Sequence, residues 1–192
     1  ILYQLSYALN SIRQQRLSRA EQTLAQADQI LLDGVENQLL WKSSLLAVRG
    51  ELLVEQYQAS QKVSGSVEAD LTSRRGAVVE AFQHALDIRE QALGPFHPSC
   101  ADPMRRMASF YYDLSEYEQC ENHLRRALSV CLSARGPYHL DTFRCLELSA
   151  LVLRSTNRHG EAEEMEDRSR QVEKRVREMS RETYVIWGEP DQ

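Results

Sequence analysis

Two histidines hold the same place in two copies of one phrase. His97 lies in Gly94-Pro95-Phe96-His97-Pro98, and forty-two residues on His139 lies in Gly136-Pro137-Tyr138-His139-Leu140. An imidazole binds metals and exchanges protons near neutral pH, so a histidine repeated in a loop is the first candidate for chemistry. Cys120 and His123 are three apart. A helix would put them on one face as two zinc-type ligands. Zinc takes four ligands, and Cys100, Cys131 and Cys145 supply no Cys-x-x-Cys or other second pair. The acids Glu161, Glu163, Glu164, Glu166 and Asp167 crowd together near the start of a predicted helix, where they suit the helix dipole better than paired-carboxylate catalysis. No Gly-x-Gly-x-x-Gly, Gly-Lys-Ser/Thr, His-Glu-x-x-His or Gly-x-Ser-x-Gly stretch occurs. His84 and His123 read as packed or surface residues on helices. The chain therefore reads as non-enzymatic, with no catalytic, cofactor or metal residue.

Composition points the same way. The 192 residues are 42% hydrophobic and 27% charged, with only eight Gly and five Pro. The abundant Ala, Leu, Gln, Glu and Arg are good helix formers. A net charge of −5 argues against a nucleic-acid partner, which selects for basic surfaces. No apolar run approaches the roughly 20 residues of a membrane helix, so no membrane partner is expected. Four cysteines in a helical chain of this size read as reduced, hence a cytoplasmic setting. No secretory signal opens the sequence. The start at Ile1 and the polar end Gly188-Glu189-Pro190-Asp191-Gln192 suggest a piece excised from a longer protein.

The elements that must position these residues are helices. Apolar residues return at spacings of three and four: Leu5, Leu9 and Ile12; Leu24, Ala27, Ile30 and Leu31; Leu39, Leu46, Leu53 and Tyr57; Phe82, Ala85, Leu86 and Ile88. No alternating strand pattern appears, so the fold class is all-α. A shift of 42 aligns residues 83–121 with 125–163. Ala85/Ala127, Leu86/Leu128, Ala92/Ala134, Gly94/Gly136, Pro95/Pro137, His97/His139, Ala108/Ala150 and Glu121/Glu163 are then identical. Such a period marks stacked supersecondary units.

Within a unit, Ala108 and Tyr111 are followed by Cys120, Leu124 and Ala127. This resembles the tetratricopeptide repeat, with a small residue, an aromatic three later, then small-x3-large-x2-small. Weaker copies carry Ala8, Ala20, Leu24 and Ala27; Gly50, Leu53, Val78, Phe82 and Ala85; and Ala150, Leu153 and Ala162, followed by Glu166 and Ser169 where Phe and Ala are usual. The 42-residue period and the stretch His84-Ala85-Leu86-Asp87-Ile88-Arg89 through His97-Pro98 look like the kinesin light chain subclass, over about residues 81–163. The resemblance implies an α-solenoid of antiparallel helix pairs. We expect one helical domain over 1–192, with repeats at about 1–34, 39–93, 98–135 and 140–166 and a capping helix over 167–187. Gly50 to Val78 spans 28 residues where Ala108 to Cys120 spans 12, which predicts an inserted polar loop over 61–75. Met165, Ser169, Val172, Val176, Met179, Thr183 and Ile186 form an a/d-type seam on the last helix. It reads as an end cap or, alternatively, a helix that dimerises.

The same resemblance turns the phrase around His97 and His139 into a joint. Glycine should end one helix in a left-handed conformation and the aromatic should plug the gap between pairs. The histidine ring should cap backbone groups, and Pro103 suggests that the next regular helix starts only there. In this family the first helix of each pair lines a concave binding face. The resemblance implies contact residues Asp102, Arg105, Arg106, Ser109 and Tyr112; Arg144, Glu147, Leu151 and Arg154; and Ala47, Glu51, Val54 and Glu55. The arginines would receive a partner protein or peptide with an acidic segment; alternatively they pair with Glu147 and neighbouring acids. A chaperone-type carboxylate clamp is not expected, because Leu5 and Leu9 stand where Lys and Asn would be needed. The Leu2, Leu5, Leu9 and Ile12 face is either covered by a preceding repeat or a partner surface. The function expected is that of an adaptor or scaffold interaction module. The alternatives are a self-associating, homo-oligomeric domain and a regulatory or substrate-receptor arm of a larger enzyme.

Overall fold

The computed structural model describes residues 1–14, 16–33, 38–62 and 68–187, with side chains as far as Met179. All regular structure among them is helical. The chain forms two compact units, Ile1–Pro95 and Phe96–Gln192.

The first unit holds α1 (Leu2–Arg13), α2 (Leu17–Leu32), α3 (Gln38–Gln61) and α4 (Glu68–Leu93). Helix α1 packs on α2 and α3, and α3 packs on α4. The shared core is Leu5, Ala8 and Ile12 from α1, Ala20, Leu24, Ala27 and Leu31 from α2, and Leu45, Val48 and Leu52 from α3. Leu5 and Ile12 are thus interior. The expected apolar outer face of α1 is reduced to Leu2, with Leu9 half-buried. On α3 the buried stripe is Leu45, Val48 and Leu52, while Leu39 is 62% exposed and Leu46 and Leu53 are half-buried. Of the stripe read from Leu39, Leu46, Leu53 and Tyr57, Tyr57 is buried and the other three are turned away from the observed core, because the α1–α2 pair and α4 compete for different sides of the helix.

Two contacts lock α3 to α4. An added Cβ on Gly50 would lie 2.5 Å from a ring carbon of Phe82, so the aromatic sits directly on the α3 backbone. The fully buried Ser43 hydroxyl donates to the Ala85 carbonyl at 2.8 Å and accepts from Arg89 Nε at 2.7 Å. The loop expected over 61–75 is corrected: α3 runs to Gln61 and α4 already begins at Glu68. Residues 63–67 of that stretch lie outside the described residues. Glu68 and Asp70 occupy the first turn of α4, and Arg74 pairs with Asp70 at 2.8 Å. Acids at an N-terminus and i,i+4 ion pairs favour helix even in a polar stretch.

The second unit opens with a 3-10 turn, Pro98–Cys100. It continues with α5 (Ala101–Asp113), α6 (Tyr117–Arg135), α7 (Leu140–Ser155) and α8 (His159–Trp187). Successive helices pack together, and α7 also touches α5. The repeat residues are interior: Ala108, Cys120, Leu124 and Val152 form one cluster with Tyr111 and Leu148 against it. Helix α5 starts at Ala101, ahead of Pro103. A proline in the first turn costs nothing there, because its N–H would have no intrahelical partner anyway. The expected division between a fourth repeat ending at 166 and a cap over 167–187 is absent. Helix α8 runs unbroken from His159 to Trp187. Along its seam Ser169 and Val172 are buried, Met165 and Val176 half-buried and Met179 exposed. The side chains of Thr183 and Ile186 lie outside the described residues.

The joints follow the 42-residue period. Gly94 and Gly136 have φ of +91° and +81°, the left-handed region that glycine enters without a Cβ clash. His97 and His139 are helix N-caps. Each Nδ1 accepts from a backbone N–H two residues on, Ser99 at 3.3 Å and Asp141 at 3.1 Å. The aromatics do not plug the joints, since Phe96 is 72% and Tyr138 51% exposed.

Candidate functional site

The residues with chemical potential are mostly engaged in structure. His123 stacks on Tyr111, with ring centres 5.5 Å apart. Burial, helped by Arg126, lowers its pKa. Cys120 points into the core, and burial pushes its thiol up to about 12. The four cysteines are free and buried. A hydrogen bond with Cys131 together with burial holds Cys145 protonated. Among the described residues no three His, Cys, Asp or Glu side chains converge as a metal site would require. The acids of α8 diverge: Glu161 pairs with Arg158, Glu166 with Arg154 and Asp167 with Arg170.

The predicted contact residues fall on α5 and α7, one pair apart. Tyr112 on α5 approaches Ser155 on α7, oxygen to oxygen at 3.3 Å, so these first helices are neighbours on this side. Arg105, Arg106, Ser109 and Tyr112 are half-buried, whereas Arg144, Glu147, Leu151 and Arg154 are exposed. Each of the four arginines has an acid beside it. Arg105 and Arg106 share Asp102, at 2.9 and 2.8 Å. Arg144 lies 3.8 Å from Asp141. Arg154 grips Glu166 on α8 through two bonds of 2.5 and 2.8 Å. That fork raises the Arg154 pKa and lowers that of Glu166. These arginines take local acids as partners, and Glu147 is not among them. In the first unit Ala47 is buried, which removes it from the predicted contact set; Glu51, Val54 and Glu55 are half-buried.

The structure does bring Glu147 and Leu151 together. They line a groove of about 410 Å³ between α7 and α8, with Phe143 and Ala150 beside them and Ser169, Arg170 and Glu173 opposite. Burial and the nearby Glu173 raise the Glu147 pKa. The α8 wall was missed in the sequence because residues 166–173 were read as the end of a repeat and the start of a cap.

Antiparallel helix pairs of a 42-residue period, joined by a left-handed glycine and a histidine cap, define a helical-repeat protein, an architecture whose stacked units present extended surfaces to other proteins. Tetratricopeptide repeat models match residues 79–99 and 100–174, together half of the chain. The chain belongs to the tetratricopeptide repeat family. No curated protein matches it.

Proposed function

We propose that the chain is a non-catalytic module of an adaptor or scaffold that holds a partner protein or peptide on the side where α5 and α7 are neighbours. The observation that supports this is the approach of Tyr112 to Ser155, which aligns the first helices of successive repeats. Arg105, Arg106, Ser109 and Tyr112 with Arg144, Glu147, Leu151 and Arg154 are the contact set. Arginine and tyrosine combine area with directed hydrogen bonds, as interface hot spots do. An acidic segment would bind by exchanging its carboxylates for Asp102 and Asp141. Arg144 is the readiest to exchange, being only loosely held at 3.8 Å. The 42-residue period supports a kinesin light chain-like repeat type. The free, buried cysteines support a cytoplasmic setting.

The test is a pull-down or peptide array with Arg105→Glu, Arg106→Glu and Arg154→Glu combined, checked for helicity by circular dichroism. Loss of partner capture by a folded variant is expected. Unchanged capture would overturn the assignment of this face.

A further inference from the structure

The groove between α7 and α8 has a counterpart one repeat earlier. Subtracting 42 takes Phe143 and Glu147 on α7 to Ala101 and Arg105 on α5. It takes Glu166, Arg170 and Glu173 on α8 to Leu124, Leu128 and Cys131 on α6. The earlier surface is covered by a helix. Helix α7 packs on both α5 and α6, with Val152 buried among Ala108, Cys120 and Leu124. Two antiparallel ridges of this repeat thus form a trough that a third helix fills. The α7–α8 trough lies at the equivalent place one repeat on, and its lining from Phe143 to Leu151 covers about 12 Å of helix axis.

Its chemistry differs from that of the covered trough. The floor keeps apolar area in Phe143, Ala150 and Leu151, the last 49% exposed. The walls carry carboxylates where the earlier repeat has leucine and cysteine. Glu166 is held by Arg154, Arg170 by Asp167, and Glu173 by Arg177 at 2.6 Å. Glu147 has no ion-pair partner among the described residues and lies within the field of Glu173. A helix that covered this floor with only apolar or acidic groups would strand Glu147 beside another carboxylate, which burial makes costly. A cation beside the apolar stripe removes that cost.

We propose that the α7–α8 groove docks an amphipathic helix of a partner protein, its apolar stripe on Phe143, Ala150 and Leu151 and a flanking Lys or Arg against Glu147 and Glu173. The proposal rests on reading the chain as an interaction module; it reassigns Glu147 and Leu151 from the contact set above to a separate groove and does not use the arginines of α5.

The experiment is fluorescence anisotropy on the 192-residue protein with two labelled synthetic helices of about 18 residues, long enough to overlie the groove. One carries Leu and Ala on one face flanked by Lys; the other has Glu in place of each Lys. The Lys helix should bind saturably, at least about tenfold tighter than the Glu helix, and added salt should weaken it. Glu147→Lys with Glu173→Lys should reverse the preference. Neither residue is buried, and circular dichroism verifies the fold. Leu151→Asp should weaken the Lys helix by a further route. No saturable binding up to about 1 mM, or a preference unchanged by the charge reversal, would overturn the proposal. So would sedimentation showing a dimer that Glu147→Lys dissolves, since a second copy would then occupy the groove. Arg105→Glu with Arg106→Glu should leave the Lys helix bound as before, so failure of the α5–α7 face and failure of this groove are read separately.

Discussion

Ser115 and Asn157 are 42 residues apart and both adopt left-handed backbone, with φ of 61° and 59°. Each follows the first helix of its pair. Glu116 N–H bonds to Tyr111 C=O at 2.9 Å, and Arg158 N–H to Leu153 C=O at 2.8 Å. These are the six-to-one bonds of a Schellman C-cap, a place that usually selects glycine. Ser115→Gly should therefore relieve a Cβ penalty and stabilise the protein by about 0.5–1 kcal/mol, with a smaller gain for Asn157→Gly. Thermal denaturation reads the difference, and a lower Tm for Ser115→Gly would refute it. The joints at Gly94 and Gly136 were legible because glycine announces positive φ; the turns at Ser115 and Asn157 were not, because a side chain there hides the same geometry. His123 permits a second test. Its pKa is lowered below 6.5 in the fold by burial beside Tyr111 and by Arg126. The unfolded chain therefore binds more protons than the folded one in the window below pH 6.5. Its contribution is present above that pH and is lost as pH falls through the folded value. The Tm decrease between pH 7 and pH 5.5 should shrink in His123→Phe, as calorimetry would show; an unchanged decrease would contradict this.

Among the elements, the α3–α4 pair shows how packing settles what periodicity left open. A polar stretch rich in Ser and Gly reads as a loop, yet residues 68–75 extend α4 through an N-terminal acid pair and an Asp70–Arg74 bridge. The Gly50–Phe82 correspondence to the repeat pattern was legible from spacing alone, and the structure gives its cause in the ring lying on the α3 backbone. Gly50→Ala should cost about 1–3 kcal/mol by overpacking. Gly50→Ala with Phe82→Leu should cost less than the sum of the two single changes, measured by urea denaturation; strict additivity would mean that the two residues do not meet. Three of the four residues of the α3 stripe, Leu39, Leu46 and Leu53, point elsewhere than expected for a related reason. A helix with neighbours on several sides has no single apolar face, so a rule built on one face picks the wrong turn. Helix α8 has the opposite character. The buried Ser169 and Val172 of its seam were legible, but its continuity from His159 was not, because Glu166 and Ser169 interrupt the repeat pattern without interrupting the helix.

For the molecule as a whole, each unit carries its own buried core, and in repeat proteins stability is close to a sum over neighbouring elements. A fragment of residues 96–192 should then retain helical circular dichroism and a cooperative thermal transition. A fragment without a transition would show that this core does not suffice alone. The surface chemistry that sequence composition compressed into one number, a net charge of −5, resolves on α5 and α7 into four arginines, Arg105, Arg106, Arg144 and Arg154, each near a local acid, and the Glu147 carboxylate over a groove.

The placement of the four thiols has a practical consequence. Cys100, Cys120, Cys131 and Cys145 all lie in the second unit, and each shows 0% exposure. A thiol-reactive dye can reach them only when that half of the chain opens, while the first half, which has no sulfhydryl, stays silent. The protein therefore carries its own stopwatch. Slow labelling that accelerates with urea would report the opening of one half alone, with no engineered probe and no change to the surface on which a partner would sit.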